Sequence, residues 1–241
     1  MLDTVYGKYS ERVDVLFDAT YAPSDVWTPS ELTVLFHPWH GGGRAYQVLQ
    51  KRLTARNRAV LPLLFHDQIL THDTQQVLES FQTVQSKVST KLQELAESGR
   101  YTRTSLFAAS LGTPALAMTA TAFRGFDRAT LLTPGSNLAT CMWEGRRTQA
   151  IRDHLERQGE TLADIDEVWQ PIAPVNHVAA FKGKELTAIV SGSDKIIPTK
   201  YQDAFADAVL DADINARIYR SSYGHHGTIG RYCLLGNIDS L

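Results

Sequence analysis

Short apolar runs alternate with segments of helical periodicity along most of this chain, and that alternation constrains the fold more than any other feature. Runs rich in β-branched and apolar residues predict strands at residues 13–17, 33–36, 59–65, 104–108, 129–133, 186–190 and 216–219. Helices are predicted between them at residues 44–56, 73–98, 114–123 and 200–210. Such alternation is typical of a mostly parallel sheet flanked by helices. We therefore predict an α/β fold of the doubly wound kind.

The clearest helical pattern lies between residues 73 and 98. Its apolar positions step by three or four residues and so fall on one face of a helix, as Val77, Phe81, Val84, Val88, Leu92 and Leu95. Asp73 or Thr74 can cap the start of this helix, and Gly99 can end it.

The alternation breaks between residues 136 and 184. This stretch contains Trp143, Trp169 and a charged helical segment near residues 145–158, and regular alternation resumes after it. We interpret residues 1–241 as a single domain and residues 136–184 as a cap-like insertion within it.

Composition excludes several classes of function. The formal charge of −2 offers no net positive field for nucleic acid, and no apolar run reaches the length of a membrane span. The first residues do not resemble a secretion signal, so we expect a cytoplasmic protein. Cys141 and Cys233 have no metal-binding spacing, and two buried thiols are the expectation.

Polar residues cluster in the segments that directly follow the predicted strands. In a doubly wound sheet, ligands bind outside the carboxyl ends of the strands, so these segments are the places to look for a site. The five segments read HPWHGGG at 37–43, HD at 66–67, AASLG at 108–112, SGSD at 191–194 and YGHHG at 223–227.

Three of these segments together resemble the α/β-hydrolase family. The serine turn resembles its G-x-S-x-G nucleophile elbow, with Ala108 in place of the first glycine and Gly112 in the second position. Residues 192–198 resemble the family's acid loop, and residues 221–225 resemble its histidine loop. The parts occur in the order serine, acid, histidine, and the resemblance covers roughly residues 30 to 235.

The resemblance implies a serine hydrolase that cleaves a carboxylic ester through an acyl-enzyme intermediate. Ser110 would be the nucleophile, Asp194 the acid and His225 the base, with His226 as the alternative base. From the residues alone, Ser110 could instead cap the following helix and Asp194 could be a turn residue. An acid after the preceding strand is a variant of the fold, but residues 134–140 contain no carboxylate.

The glycine-rich segment after the first clear strand would supply part of the oxyanion hole. If His37 matches the family's strand-end histidine, the donor is the N–H of Trp39; if residues 40–43 match the HGGG pattern, it is that of Gly41 or Gly42. The second donor would be the N–H of Leu111. The segment has neither of the glycine patterns that bind nucleotides.

The expected partner is a small-molecule acyl substrate, with no nucleic acid, membrane span, metal or organic cofactor. His40, Trp143, Trp169 and His226 are candidate substrate contacts. The apolar residues of the insertion either form a wall above Ser110 or pack the insertion onto the sheet; these are Met142, Trp143, Val168, Trp169 and Ile172.

Four other functions remain open from the residues alone. A thioesterase or an amidase uses the same three residues, and so does a cofactor-free hydroxynitrile lyase. A non-catalytic binder of a small ligand or a partner is the alternative from another class, and Ala108 and Pro38 are the departures that favour it.

Overall fold

A mostly parallel sheet forms the centre of the molecule. The computed structural model describes residues 16–17, 30–39, 43–65 and 69–236. Seven strands pair in the order β1-β3-β2-β4-β5-β6-β7, and β2 to β7 are parallel whereas β1 is antiparallel to β3. The strands are β1 Leu16–Phe17, β2 Glu31–Phe36, β3 Arg58–Leu64, β4 Arg103–Ala109, β5 Arg128–Leu132, β6 Glu185–Ser191 and β7 Ala216–Ser221. The predicted α/β class is confirmed.

Helices connect the strands and cover both faces of the sheet. They are α1 Gly43–Thr54, α2 Thr74–Glu97, α3 Gly112–Ala122, α4 Leu138–Glu144, α5 Gln149–Arg157, α6 Leu162–Trp169, α7 Thr199–Asp211 and α8 His225–Leu235. Three short 3-10 segments, Arg146–Thr148, Gln170–Ile172 and Pro174–Phe181, lie between β5 and β6 with α4, α5 and α6. Helix α8 was not predicted, because Gly227 and Gly230 interrupt its short apolar pattern.

Alternation of side chains along the central strands builds one apolar core on each side of the sheet. In β2, Val34 and Phe36 belong to the larger core, beneath α2, α3 and α7, whereas Leu35 belongs to a smaller core beneath α1 and α8. Each fully buried side chain of this size contributes about 1.5–3 kcal/mol relative to its exposed state. The two cores hold the carboxyl ends of β2, β4 and β6 in fixed positions along one edge.

Helix α2 forms where its periodicity predicts it. The Asp73 carboxylate accepts a hydrogen bond of 2.9 Å from the backbone N–H of Gln76, which caps the first turn. Its buried face includes Val77, Phe81, Val84, Val88 and Leu92.

Both cysteines are free and buried, as predicted. In the part of the chain that the structure describes, none of the helices combines the length and the apolar character that crossing a bilayer would take.

Candidate active site

Ser110 occupies the sharp turn between β4 and α3. Its φ of 52° lies in the left-handed region, which costs a residue with a Cβ about 1 kcal/mol or more. Three hydrogen bonds hold this conformation: the Ser110 N–H donates to Leu132 O at 3.0 Å, and the Ser110 carbonyl accepts from the N–H and the hydroxyl of Thr113 at 2.9 and 2.8 Å. The backbone therefore stores strain at Ser110.

Gly112 lets the start of α3 approach the end of β2. A Cβ at this position would lie 2.5 Å from Phe36 O and 2.8 Å from His37 O, closer than real side chains come. Glycine is therefore required here, and its absence of a side chain brings the segment that contains Trp39 beside the serine turn.

Asp194 lies in the loop after β6, and its carboxylate is buried. One oxygen, Oδ1, accepts hydrogen bonds from the backbone N–H groups of Ile196 at 2.8 Å and Ile197 at 3.0 Å. The other oxygen, Oδ2, accepts from the side-chain amide of Gln202 at 2.8 Å. These contacts make Asp194 an ordered turn residue whose second oxygen still points toward β7.

His225 is the first residue of α8, and its ring nitrogen Nδ1 lies 2.7 Å from Asp194 Oδ2. An ionised carboxylate only accepts, so Nδ1 carries the proton and Nε2 is the basic nitrogen. The contact follows from strand order. Strands β6 and β7 are parallel neighbours, and the Gly192 N–H donates to Ser221 O at 2.7 Å where both strands end. The Ser191 hydroxyl also donates to Tyr223 O at 2.6 Å.

His226 is exposed and meets His225 edge to face, with ring centroids 5.4 Å apart. Desolvation, followed by electrostatic repulsion from His225 and Arg147, lowers the pKa of His226 below its usual value. Of the two neighbouring histidines, His225 is the one that contacts the carboxylate.

A narrow cavity of about 60 Å³ lies beside Ser110. Its walls are mostly apolar and include Trp39, Leu70, Leu111, Leu138, Cys141, Met142, Pro174, Ile196 and Ile197. Burial raises the pKa of the Cys141 thiol to about 12, so the sulfur stays protonated near neutral pH and does not compete as a nucleophile. The cavity thus brings together the serine turn, the Trp39 segment, the acid loop and the inserted segment.

The two tryptophans of the insertion do not line this cavity. Trp169 is fully buried, and its indole N–H donates to Thr74 O at the start of α2, at 2.8 Å. Trp143 is half-buried against the larger core. This placement favours the alternative in which these rings pack the segment between β5 and β6 onto the sheet, and contact of Trp143 or Trp169 with substrate stays a prediction.

His40 and Gly41, proposed above as a substrate contact and an oxyanion donor, lie outside the described residues, as do Gly42, His66 and Asp67. The choice between the two oxyanion registers therefore stays a prediction. His37 is buried, and its ring packs against that of Tyr46 with centroids 4.4 Å apart.

The hydrogen bonds of His225 and the grouping of metal-binding side chains both bear on the chemistry of the site. Within residues 30–39, 43–65 and 69–236, the hydrogen bonds join His225 to Asp194 but do not join it to the Ser110 hydroxyl. Catalytic hydrogen bonds are often long in unliganded enzymes and shorten when substrate binds. The same residues contain no group of three side chains suited to a metal ion.

Sequence reasoning missed Gln202 and Arg147. Gln202 is buried in α7 and binds Asp194, the Ser191 N–H and the Ile197 carbonyl. Its signal was a polar residue on the apolar stripe that continues at Phe205 and Val209. Arg147 lines the cavity, and nothing in its local sequence marks it.

Comparison with known proteins links this chain to solved structures. No family model matches it, and no curated protein sequence matches it. It superposes on an acylaminoacyl peptidase from Pyrococcus horikoshii with a TM-score of 0.64 and 14% identity, over 98% of this chain and 40% of the other. It superposes on a puromycin-hydrolysing peptidase from Mycobacterium tuberculosis with a TM-score of 0.62 and 13% identity, over 92% of this chain and 38% of the peptidase.

A cold-adapted esterase from an Arctic intertidal metagenomic library has a TM-score of 0.62 and 11% identity, with 91% of this chain and 83% of the esterase covered. This chain spans about two fifths of the length of the two peptidases and most of the length of the esterase. The chain has the α/β-hydrolase fold.

Proposed function

We propose that this chain is a serine hydrolase that cleaves carboxylic esters through an acyl-enzyme intermediate. The buried hydrogen bond of 2.7 Å between Asp194 and His225, at the same sheet edge as the strained Ser110 turn, is the observation that carries the proposal. The fold is shared with two peptidases and an esterase.

In the proposed reaction, His225 Nε2 takes the proton of Ser110 as Oγ attacks the ester carbonyl carbon. The carbonyl π electrons move to the oxygen, and the tetrahedral intermediate collapses to the acyl-serine. His225 gives its proton to the departing alcohol. Water then repeats the two steps on the acyl-serine and releases the acid. Asp194 holds the imidazole in the required tautomer and stabilises the imidazolium.

The developing oxyanion would be stabilised by the backbone N–H of Leu111 and by a second N–H from Trp39, Gly41 or Gly42. Leu111 directly precedes α3, where the leading N–H groups of a helix have no acceptor within the helix. Loss of one such donor typically raises the barrier by about 3 kcal/mol. The mechanism needs neither a metal nor an organic cofactor.

Cavity size supports a short acyl group. A volume of about 60 Å³ accommodates a few water molecules or a few carbon atoms, and the apolar side chains of Met142, Leu138 and Ile197 favour a hydrocarbon there. We therefore expect acetyl and butyryl esters to react faster than long-chain esters.

The test is hydrolysis of para-nitrophenyl acetate and butyrate, together with labelling by a fluorophosphonate. We expect Ser110→Ala to abolish labelling and to lower kcat by at least about 10³-fold. Ser98→Ala, at the far end of α2, is the control, and its ester hydrolysis and labelling should equal those of the unmodified chain. Unchanged hydrolysis in Ser110→Ala would disprove the mechanism.

A parallel series of esters, thioesters and anilides with the same acyl group tests the finer assignment. Ester hydrolysis should be fastest. A preference for thioesters or anilides would assign a thioesterase or an amidase, and absence of both turnover and labelling would favour a non-catalytic binder.

A further inference from the structure

Arg147 is the one ionised side chain among the described residues that line the cavity beside Ser110. The other fifteen lining residues are apolar or carry neutral hydroxyl, thiol, indole or amide groups. The Arg147 side chain is exposed, so its guanidinium is accessible to a substrate that enters the cavity, and its attraction for a negative charge is weakened by surrounding water.

No carboxylate in the described part of the chain neutralises Arg147. The nearest acid along the sequence, Glu144, is already occupied, since it accepts a hydrogen bond from Tyr201 at 2.6 Å and pairs with Lys200 at 2.7 Å. In α5, by contrast, Arg152 pairs with both Asp153 and a glutamate one turn further on. Arg147 thus differs from Arg152 in that it forms no salt bridge with a carboxylate of the described residues.

The backbone that carries Arg147 is fixed against the acid loop. A Cβ at Gly145 would lie 2.5 Å from Cys141 O and 2.9 Å from Ile196 O, so this turn packs with no room to spare. The Thr148 hydroxyl closes the turn by donating to Gly145 O at 3.0 Å, and the Arg146 N–H donates to the carbonyl of Lys195 in the acid loop at 3.4 Å. The backbone of residues 145–148 is therefore held against the acid loop by packing and hydrogen bonds.

Arg147 also lies near the two adjacent histidines that follow β7. Its charge is close enough to His226 to contribute to the lowered pKa of that ring, and His226 contacts His225. A group held by Arg147 would therefore lie near the bond that is cleaved.

We infer that Arg147 binds a carboxylate of the substrate, so that the enzyme prefers esters that carry an acidic group close to the scissile bond. This inference rests on the proposed function. An arginine is suited to the role because its planar fork donates two parallel hydrogen bonds to a carboxylate. The acidic group can belong to the alcohol, as in the ester of a hydroxy acid, or to the acyl part, as in the half-ester of a diacid.

The experiment measures kcat/KM for two matched pairs of esters. Para-acetoxybenzoate against para-acetoxybenzamide places the charge on the alcohol side, and para-nitrophenyl hemisuccinate against para-nitrophenyl butyrate places it on the acyl side. In one of the pairs, we expect Arg147→Gln to lower the ratio of charged to neutral ester by about five- to tenfold. The pair that responds identifies the side that carries the acid.

Arg146→Gln is the matched control, because it removes the same charge from the adjacent exposed residue, which does not line the cavity. The ratio of kcat/KM for the charged and the neutral ester should be the same in Arg146→Gln as in the unmodified chain. Arg147→Lys should recover part of the preference for the charged ester that Arg147→Gln loses. Added salt should reduce the preference of the unmodified chain.

Two results would overturn the inference and leave the proposed function intact: equal ratios in the unmodified chain and Arg147→Gln for both pairs, or equal losses in Arg146→Gln and Arg147→Gln. Absence of ester hydrolysis and of fluorophosphonate labelling in the unmodified chain would overturn the proposed function as well.

Discussion

The turn after β4 and the turn after β6 both deliver a polar side chain to the same edge of the sheet, but they hold it in opposite ways. At Ser110 the backbone is strained and fully hydrogen-bonded, while the hydroxyl has no hydrogen-bond partner among the described residues. At Asp194 the carboxylate has four partners, namely two backbone N–H groups, the Gln202 amide and the His225 ring.

This difference matches what each group would do in the proposed reaction. A nucleophile has to form and break a bond with substrate, so hydrogen bonds within the fold would compete with its function. An orienting carboxylate has to stay still, so each of its oxygens gains from a fixed donor. Changes at the first turn should therefore affect activity more than stability, and changes around the second should affect both.

The largest effect is expected for Asp194→Asn. An amide in place of the carboxylate favours the wrong tautomer of His225, and kcat for para-nitrophenyl butyrate should fall by about 10⁴-fold. Asp211→Asn, at the exposed end of α7, is the control and should retain full activity. Retention of more than a tenth of the activity in Asp194→Asn would show that this carboxylate does not orient the base.

The next largest effect is expected for Gln202→Leu. Leucine fills the space but leaves the Ser191 N–H and the Ile197 carbonyl without their buried partner, and it removes one donor from Asp194. The free energy of unfolding in urea should fall by about 2–4 kcal/mol. The exposed Gln75→Leu on α2 should change it by less than about 0.5 kcal/mol. Equal stability of the two variants would remove the contrast between the turns.

A smaller effect of opposite sign tests the strain at Ser110. Glycine relieves the left-handed backbone, so Ser110→Gly should be more stable than Ser110→Ala by about 1 kcal/mol, although both lack the hydroxyl. At Ser98, where φ is −65°, the order should reverse, with alanine favoured by about 0.5–1 kcal/mol. Chemical unfolding of the four variants measures both differences. If the glycine and alanine variants had the same order of stability at residues 98 and 110, the backbone at Ser110 would not be strained.

The smallest effect is expected where a carboxylate is exposed. Hydrogen bonds from Lys200, and then from Tyr201, lower the pKa of Glu144 below its usual value. A lowered pKa adds stability above the unfolded-state pKa of a glutamate, near 4.3, and the gain disappears as the pH falls through the lowered value. Glu144→Gln should therefore reduce the melting temperature slightly at pH 7, and the reduction should become smaller as the pH falls below about 4.3. A loss of stability as large as that of Gln202→Leu would show that exposure to solvent does not weaken the hydrogen bonds of Glu144.

The local pattern of the sequence predicted the order and the kinds of most of the strands and helices. Strand and helix periodicities depend on neighbouring side chains alone, so the strand at residues 104–108 and the helix at 73–98 were predicted to within a residue or two. A mostly parallel sheet then followed from general rules for α/β chains, whereas the order in which the strands pair came from the structure. Helix α8 was missed because its glycines hide a short apolar face.

Tertiary packing alone decided which side chains meet. It buried Trp169 against α2, lined the cavity with Cys141 and Arg147, and chose His225 over its neighbour as the partner of Asp194. These outcomes depend on the space between elements that are distant in the chain, and no local pattern encodes that space. The sequence by itself determined the order of the strands, most of the helices and the reactive residues. The tertiary structure decided which residues contact one another, because burial and hydrogen bonding depend on how the whole chain packs.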